Sequence, residues 1–130
     1  MRFKLDGSLG EITLKAFLDA TKSWLDVMAD IDVAISHRST GSLDWVVTDL
    51  GTGSLCVQVQ SRSRVADTNV GPEVAREAVL GLRLLEQEGR TPPYLTEQGL
   101  VSMRKLVKII GNHGITGIRV DYGDHTAQAS

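Results

Sequence analysis

The residues of this chain able to do chemistry are three histidines, one cysteine, scattered carboxylates and a group of arginines. His37, His113 and His125, with Asp121 and Asp124, are the side-chain types of a metal centre or a general base. Their spacing forms neither. No HxxxH or HExxH pattern occurs, and His113 follows a helical pattern, where an imidazolium simply complements the helix dipole. Cys56 is the single cysteine, so no intrachain disulfide forms, and a zinc site built on it would need histidine and carboxylate help. It sits in a strand pattern with no adjacent histidine or helix start to activate the thiol. No serine lies in a nucleophile-elbow setting. Gly51-Thr-Gly-Ser54 looks superficially like a phosphate-cradling loop, but a strand follows it where such a loop would open a helix, so it reads as a hairpin turn. Ser39-Thr-Gly-Ser42 beside His37 and Arg38 has the composition of an ordinary surface loop. An enzyme assembled around His37, His113 and Asp121 is therefore the weakest reading. No cofactor or metal is expected.

The more extensive constellation is basic and rich in amides. From Leu55 to Arg64 strict alternation sends Leu55, Val57 and Val59 to one side and Cys56, Gln58, Gln60, Arg62 and Arg64 to the other. Arg2 and Lys4 alternate with Phe3 and Leu5, and Arg119 alternates with Ile118 and Val120. If these runs share one sheet, Arg2, Lys4, Gln58, Gln60, Arg62, Arg64 and Arg119 converge on its open face. Such a face suits phosphate contacts, but single-stranded nucleic acid also needs flat partners for its bases, and Cys56, Gln58 and Gln60 stand where aromatics would stack. Asp6 and Asp121 dilute the field, and the whole chain carries a net charge of -2. Nucleic-acid binding is thus the alternative reading. Trp45 lies in a run, Asp44 to Leu50, whose two sides are equally apolar; outward it would anchor a protein contact, inward it is core.

The elements that must position these residues follow from periodicity. Arg2 to Asp6 alternates as a first strand. From Thr13, a plausible N-cap, Leu14, Phe17, Leu18, Leu25, Met28 and Ile31 recur at helical steps, predicting a helix to about Asp30 or slightly beyond with those residues inward. The hairpin of Asp44–Leu50 and Leu55–Arg64 comes next. Pro72 opens a helix with Val74, Ala78, Leu82 and Leu85 inward, ended near Glu88 by Gly89. Thr96 caps another, with Leu100, Met103, Leu106, Val107 and Ile110 inward, and Ile118, Val120 and Tyr122 form a last strand.

The order β-α-β-β-α-α-β predicts an α+β fold in two layers: a four-stranded, mainly antiparallel sheet with three helices over one face. Without the extra helix it matches the split β-α-β, ferredoxin-like arrangement. The 130 residues, 42% hydrophobic and 23% charged, suit one ordered domain over residues 1–122, with 123–130 expected to be a flexible tail. No apolar run approaches membrane-spanning length, and the amino terminus lacks the unbroken apolar stretch of a signal peptide. The lone cysteine fits a reducing, cytoplasmic compartment. A complete core pattern without a catalytic signature points to a protein-interaction or self-association module, its partner another protein or a second copy of itself. The candidate interaction face comprises Arg2, Lys4, Trp45, Gln58, Gln60, Arg62, Arg64 and Arg119.

Overall fold

The computed structural model describes residues 1–51 and 55–130. Its elements are β1 (Arg2–Gly7), α1 (Leu14–Ser36), β2 (Leu43–Leu50), β3 (Leu55–Ser63), α2 (Gly71–Arg83) continued by a π-helical turn (Leu84–Glu88), α3 (Glu97–Lys108), β4 (Ile115–Tyr122) and β5 (His125–Ala129). All pairings are antiparallel, in the order β2-β3-β1-β4-β5. The first four strands interleave two split β-α-β units: β3 lies between β1 and β2, and β1 lies between β3 and β4.

Alternation in each strand selects the covered face. Leu50, Val57, Phe3, Val120 and Ala127 stand opposite one another in a row crossing the whole sheet, and Leu55, Leu5, Ile118 and Ala129 form the next. Trp24 of α1 lies over the first row, its ring stacked on Phe3 at 6.3 Å between centroids. From α1 the core takes Ala16, Ala20, Trp24, Val27, Met28 and Ile31, and from α2 Val74, Ala75, Ala78, Val79 and Leu82. α3 docks on α1 through Met103 and Leu106 and through a polar clasp, in which the Thr96 N–H and hydroxyl donate to the two Asp30 carboxylate oxygens at 2.7 and 2.8 Å.

Caps fall where the sequence places them. Thr13 Oγ1 accepts from Ala16 N at 3.1 Å, Thr96 Oγ1 accepts from Gly99 N, and Gly89 ends the π-helical turn at φ +61°. The tight-turn conformation expected for Gly51-Thr-Gly-Ser54 rests on residues 52–54 and lies outside the described residues; Gly51 itself donates to the Cys56 carbonyl at 2.9 Å.

The structure corrects the expected fold in four places. The sheet has five strands, because residues 123–130, read as a tail, turn back at Gly123 (φ +56°) and pair His125–Ala129 with β4. α1 continues six residues past Asp30, since the β-branched Ile31 gains burial and Asp32 gains buried hydrogen bonds that outweigh weak helix propensity. Leu14, Leu18 and Leu25 do not join the core but stand 72%, 55% and 37% exposed, because the inward stripe is set by Ala16, Ala20, Trp24 and Val27, about a quarter-turn or more around the helix. Finally, a bulge between Val47 and Asp49 resets the alternation of β2, so that Trp45, Val47 and Leu50 all lie on the helix side of the sheet, opposite Ser61, Val59 and Val57.

Candidate interaction surface

The open sheet face gathers the expected cations. Arg2 and Lys4 from β1, Gln58, Gln60 and Arg62 from β3, and Arg119 from β4 share it through the register Arg2 to Gln58 and Asp121, and Lys4 to Cys56 and Arg119. Arg64, one residue past β3, continues the same alternation. Trp45 does not belong there. Its place on the helix side puts it in a cleft of about 390 Å³ lined by Met1, Val59, Ser61, Pro72, Ala75 and Tyr122, where it is half-buried against the core.

Most of this positive charge is matched locally. Lys4 meets Asp6 at 3.4 Å, Arg119 meets Asp121 at 3.1 Å, and Asp44 sits between Arg62 at 3.6 Å and Arg64 at 3.5 Å. Arg64 also donates to the Thr40 carbonyl. Arg2 donates to Cys56 Sγ at 3.1 Å, and that hydrogen bond is the main reason its guanidinium binds its proton still more firmly than usual. Burial alone would raise the Asp121 pKa, but the Thr126 hydroxyl at 2.7 Å and Arg119 outweigh it and hold the carboxyl below its ordinary range. The face is a mosaic of paired charges with amides between them.

The histidines are not brought together. His37 ends α1 in a left-handed conformation (φ 58°) beside the β2 edge, three strand spacings from β4. His113 precedes β4 while Asp121 lies at its far end, about 20 Å away at 3.3 Å per residue. His125 pairs with Tyr122 across the last hairpin. Among the described residues no group of His, Cys, Asp and Glu has a metal-binding arrangement, and no helix is long and apolar enough to cross a membrane.

The sheet edges differ from each other. In the two-residue hairpin at Gly123-Asp124 the closing pair Tyr122 and His125 exchanges hydrogen bonds, so the next residue, Thr126, turns its N–H and C=O outward. Arg83 of α2 covers that carbonyl with two hydrogen bonds, Nε at 3.1 Å and Nη2 at 2.6 Å. The β2 edge carries instead Val46, Val47 and Leu50, which are 37%, 56% and 66% exposed. Together with Leu14, Leu18, Leu25 and Val33 of α1 they make up most of the large apolar side chains left exposed among the described residues, the others being Leu9, Tyr94 and Val101. Sequence reasoning missed both features, since helical spacing counts apolar residues without showing which of two adjacent stripes a sheet will cover.

No protein-family model matches the chain, and neither does any curated protein or solved structure.

Proposed function

We propose that this chain is a protein-interaction module, with a ferredoxin-like sheet extended by a fifth strand, that takes a protein partner on the apolar surface its own fold leaves bare. One observation carries the reading: seven large aliphatic side chains on α1 and β2, Val33 among them, stand between 37% and 72% exposed, more than scattered surface residues require and concentrated on two elements. A reducing, cytoplasmic setting suits the single cysteine. The mosaic of paired charges on the open sheet face gives that face little net pull on any polyanion.

A second reading, nucleic-acid contact through Arg2, Arg62, Arg64 and Arg119, is favoured by their common side of the sheet, but the carboxylates beside three of them and the absence of a stacking aromatic on that face weaken it. Affinity capture of the tagged chain from lysate of its own source, with and without nuclease, separates the two. A protein, or further copies of the chain, retained after nuclease and lost on Leu18→Lys or Val47→Lys supports the interaction module. Retention only while nucleic acid is intact overturns it.

A further inference from the structure

β2 is one edge of the sheet, and the hydrogen bonds at its two ends fix which of its residues look outward. The Arg64 N–H donates to the Ser42 carbonyl at 2.8 Å, and beyond the bulge the Gly51 N–H donates to the Cys56 carbonyl at 2.9 Å. Counting in twos from these ladder bonds, Asp44, Val46 and Asp49 turn their backbone groups to β3, while Trp45, Val47 and Leu50 turn theirs away from the sheet. Leu43 belongs to the outward set too, and its N–H is the one that the Asp32 carboxylate accepts. The outward N–H and C=O of Trp45, Val47 and Leu50 meet no partner among the described residues, unlike the Thr126 carbonyl at the other edge, which Arg83 covers.

The exposed leucines of α1 overhang the space beside this edge. At 3.6 residues per turn, Leu14, Leu18 and Leu25 fall within about 40° of Asp32, and Asp32 reaches the start of β2. Trp24 touches Met1 and Phe3, and the rows that cross the sheet through Met1 and Phe3 end on β2 at Val47 and Leu50. Leu25, next to Trp24 and turned toward β2, therefore stands at the level of Val47 and Leu50, with Leu18 and Leu14 continuing toward the end of the strand. The lane beside β2 has a wall of unpaired backbone groups and an apolar roof, which together specify an extended strand. Residues of that strand opposite Trp45 and Val47 bond to β2 and point under the leucines, so aliphatic side chains suit them. The residues between them turn to the open face on the side of Asp49, which makes no ion pair among the described residues, so cations suit those. A second copy's β2 would bring Asp44 and Asp49 to that side instead.

We infer that the β2 edge takes an added strand from a partner protein, antiparallel and alternating aliphatic with cationic residues, its aliphatic side chains lying beneath Leu18 and Leu25 of α1. Antiparallel pairing follows the rest of the sheet and lets Trp45 and Val47 each exchange both backbone hydrogen bonds with the residue opposite. One added strand thus covers the bare edge and the bare helix stripe together. This rests on the interaction-module reading and names the form of its partner.

Short blocked peptides of alternating valine and lysine test it on the full chain, followed by NMR. In the added strand the valines face β2 with their backbone groups and the lysines face solvent with theirs. Methylating the lysine backbone nitrogens should therefore leave binding intact, whereas methylating those of the valines should weaken it by about tenfold or more. Binding should slow hydrogen exchange at the Trp45 and Val47 N–H groups and shift the methyl resonances of Leu18 and Leu25. Leu18→Ser, at a position 55% exposed, should keep the fold and lose affinity by about fivefold or more. Two methylated peptides that bind alike would reduce the contact to charge attraction and overturn the proposal, as would no binding at millimolar peptide. Protection of Trp45 and Val47 in the chain alone, with a doubled mass, would give the edge to a second copy and overturn the foreign strand. A protein captured from lysate and lost on Leu18→Lys, yet leaving the Trp45 and Val47 N–H groups exchanging as in the free chain, would overturn strand addition while the interaction-module reading stands.

Discussion

The buried carboxylate of Asp32 holds Ser42 from both sides, Oδ2 accepting the Ser42 backbone N–H at 2.7 Å while Oδ1 accepts its hydroxyl at 2.9 Å. Oδ2 also takes the Leu43 N–H at 2.9 Å, so one side chain on α1 starts β2 and fixes the loop that carries His37. Removing it strands donors in a site whose residues are 7% exposed or less. Asp32→Ala is expected to cost about 3 kcal/mol and Asp32→Asn, which keeps an acceptor, about 1 kcal/mol, read from urea denaturation midpoints. Gly41→Ala should also destabilise, since its φ is +69° and a Cβ there would lie 2.6 Å from Asp32 Oδ2. The two losses should not add, because both act on one contact. Full additivity in the double variant would show that Asp32 does not organise the loop.

Arg83 does for β5 what pairing does for an inner strand. Its guanidinium covers the outward Thr126 carbonyl, so Arg83→Ala should open the last strand and leave an edge able to pair with another chain. Hydrogen exchange is expected to quicken from Thr126 to Ala129 while Phe3 and Val57 keep their protection. Unchanged exchange at β5 would mean that the hairpin alone holds it.

The sequence carries much of this architecture and hides part of it for identifiable reasons. Helix boundaries at Thr13, Gly89 and Thr96 were legible because each depends on local backbone chemistry that the residue itself supplies. The second hairpin was read as a tail although Gly123-Asp124 is a turn signal, because the His-Thr-Ala-Gln-Ala strand after it carries only alanines inward and so raises no apolar peak. The outward position of Leu18 is a different matter. Two stripes of α1 are apolar, and which one meets the sheet depends on the fit of Trp24 over Phe3, a contact between residues distant in sequence. The bulge in β2 likewise comes from pairing with β3, and without it the competing demands of Trp45, Val47 and Leu50 cannot be reconciled. Of the candidate face, Arg2, Lys4, Gln58, Gln60, Arg62, Arg64 and Arg119 follow from alternation alone, whereas Trp45 does not.

Val47 makes the uncovered β2 edge testable apart from α1. It is 56% exposed, so Val47→Lys removes little buried apolar contact and should shift stability by less than about 0.5 kcal/mol. A lysine on an open edge opposes strand addition. The variant should therefore aggregate more slowly than the natural chain on warming, as followed by light scattering. A large loss of stability would show that Val47 is covered in solution by something more than solvent.

Asp121 links the last hairpin to pH. Its carboxyl is held below the ordinary aspartate value of 3.8 by the Thr126 hydroxyl and Arg119, against the opposing effect of burial. A depressed folded-state pKa contributes stability that is fully present above the unfolded value and fades as pH falls through the folded one. Thr126→Val removes one of the groups that hold the carboxyl down, beside Arg119 and Arg2, so the Asp121 titration should move upward, read by NMR of its carboxyl carbon. At neutral pH the variant should be slightly less stable than the natural chain, and the gap should close in acid once Asp121 is protonated in both. A gap that stays constant from neutral pH into acid would assign the loss to strand packing, and the hydrogen bond from Thr126 would then have no part in the charge balance at this end of the sheet.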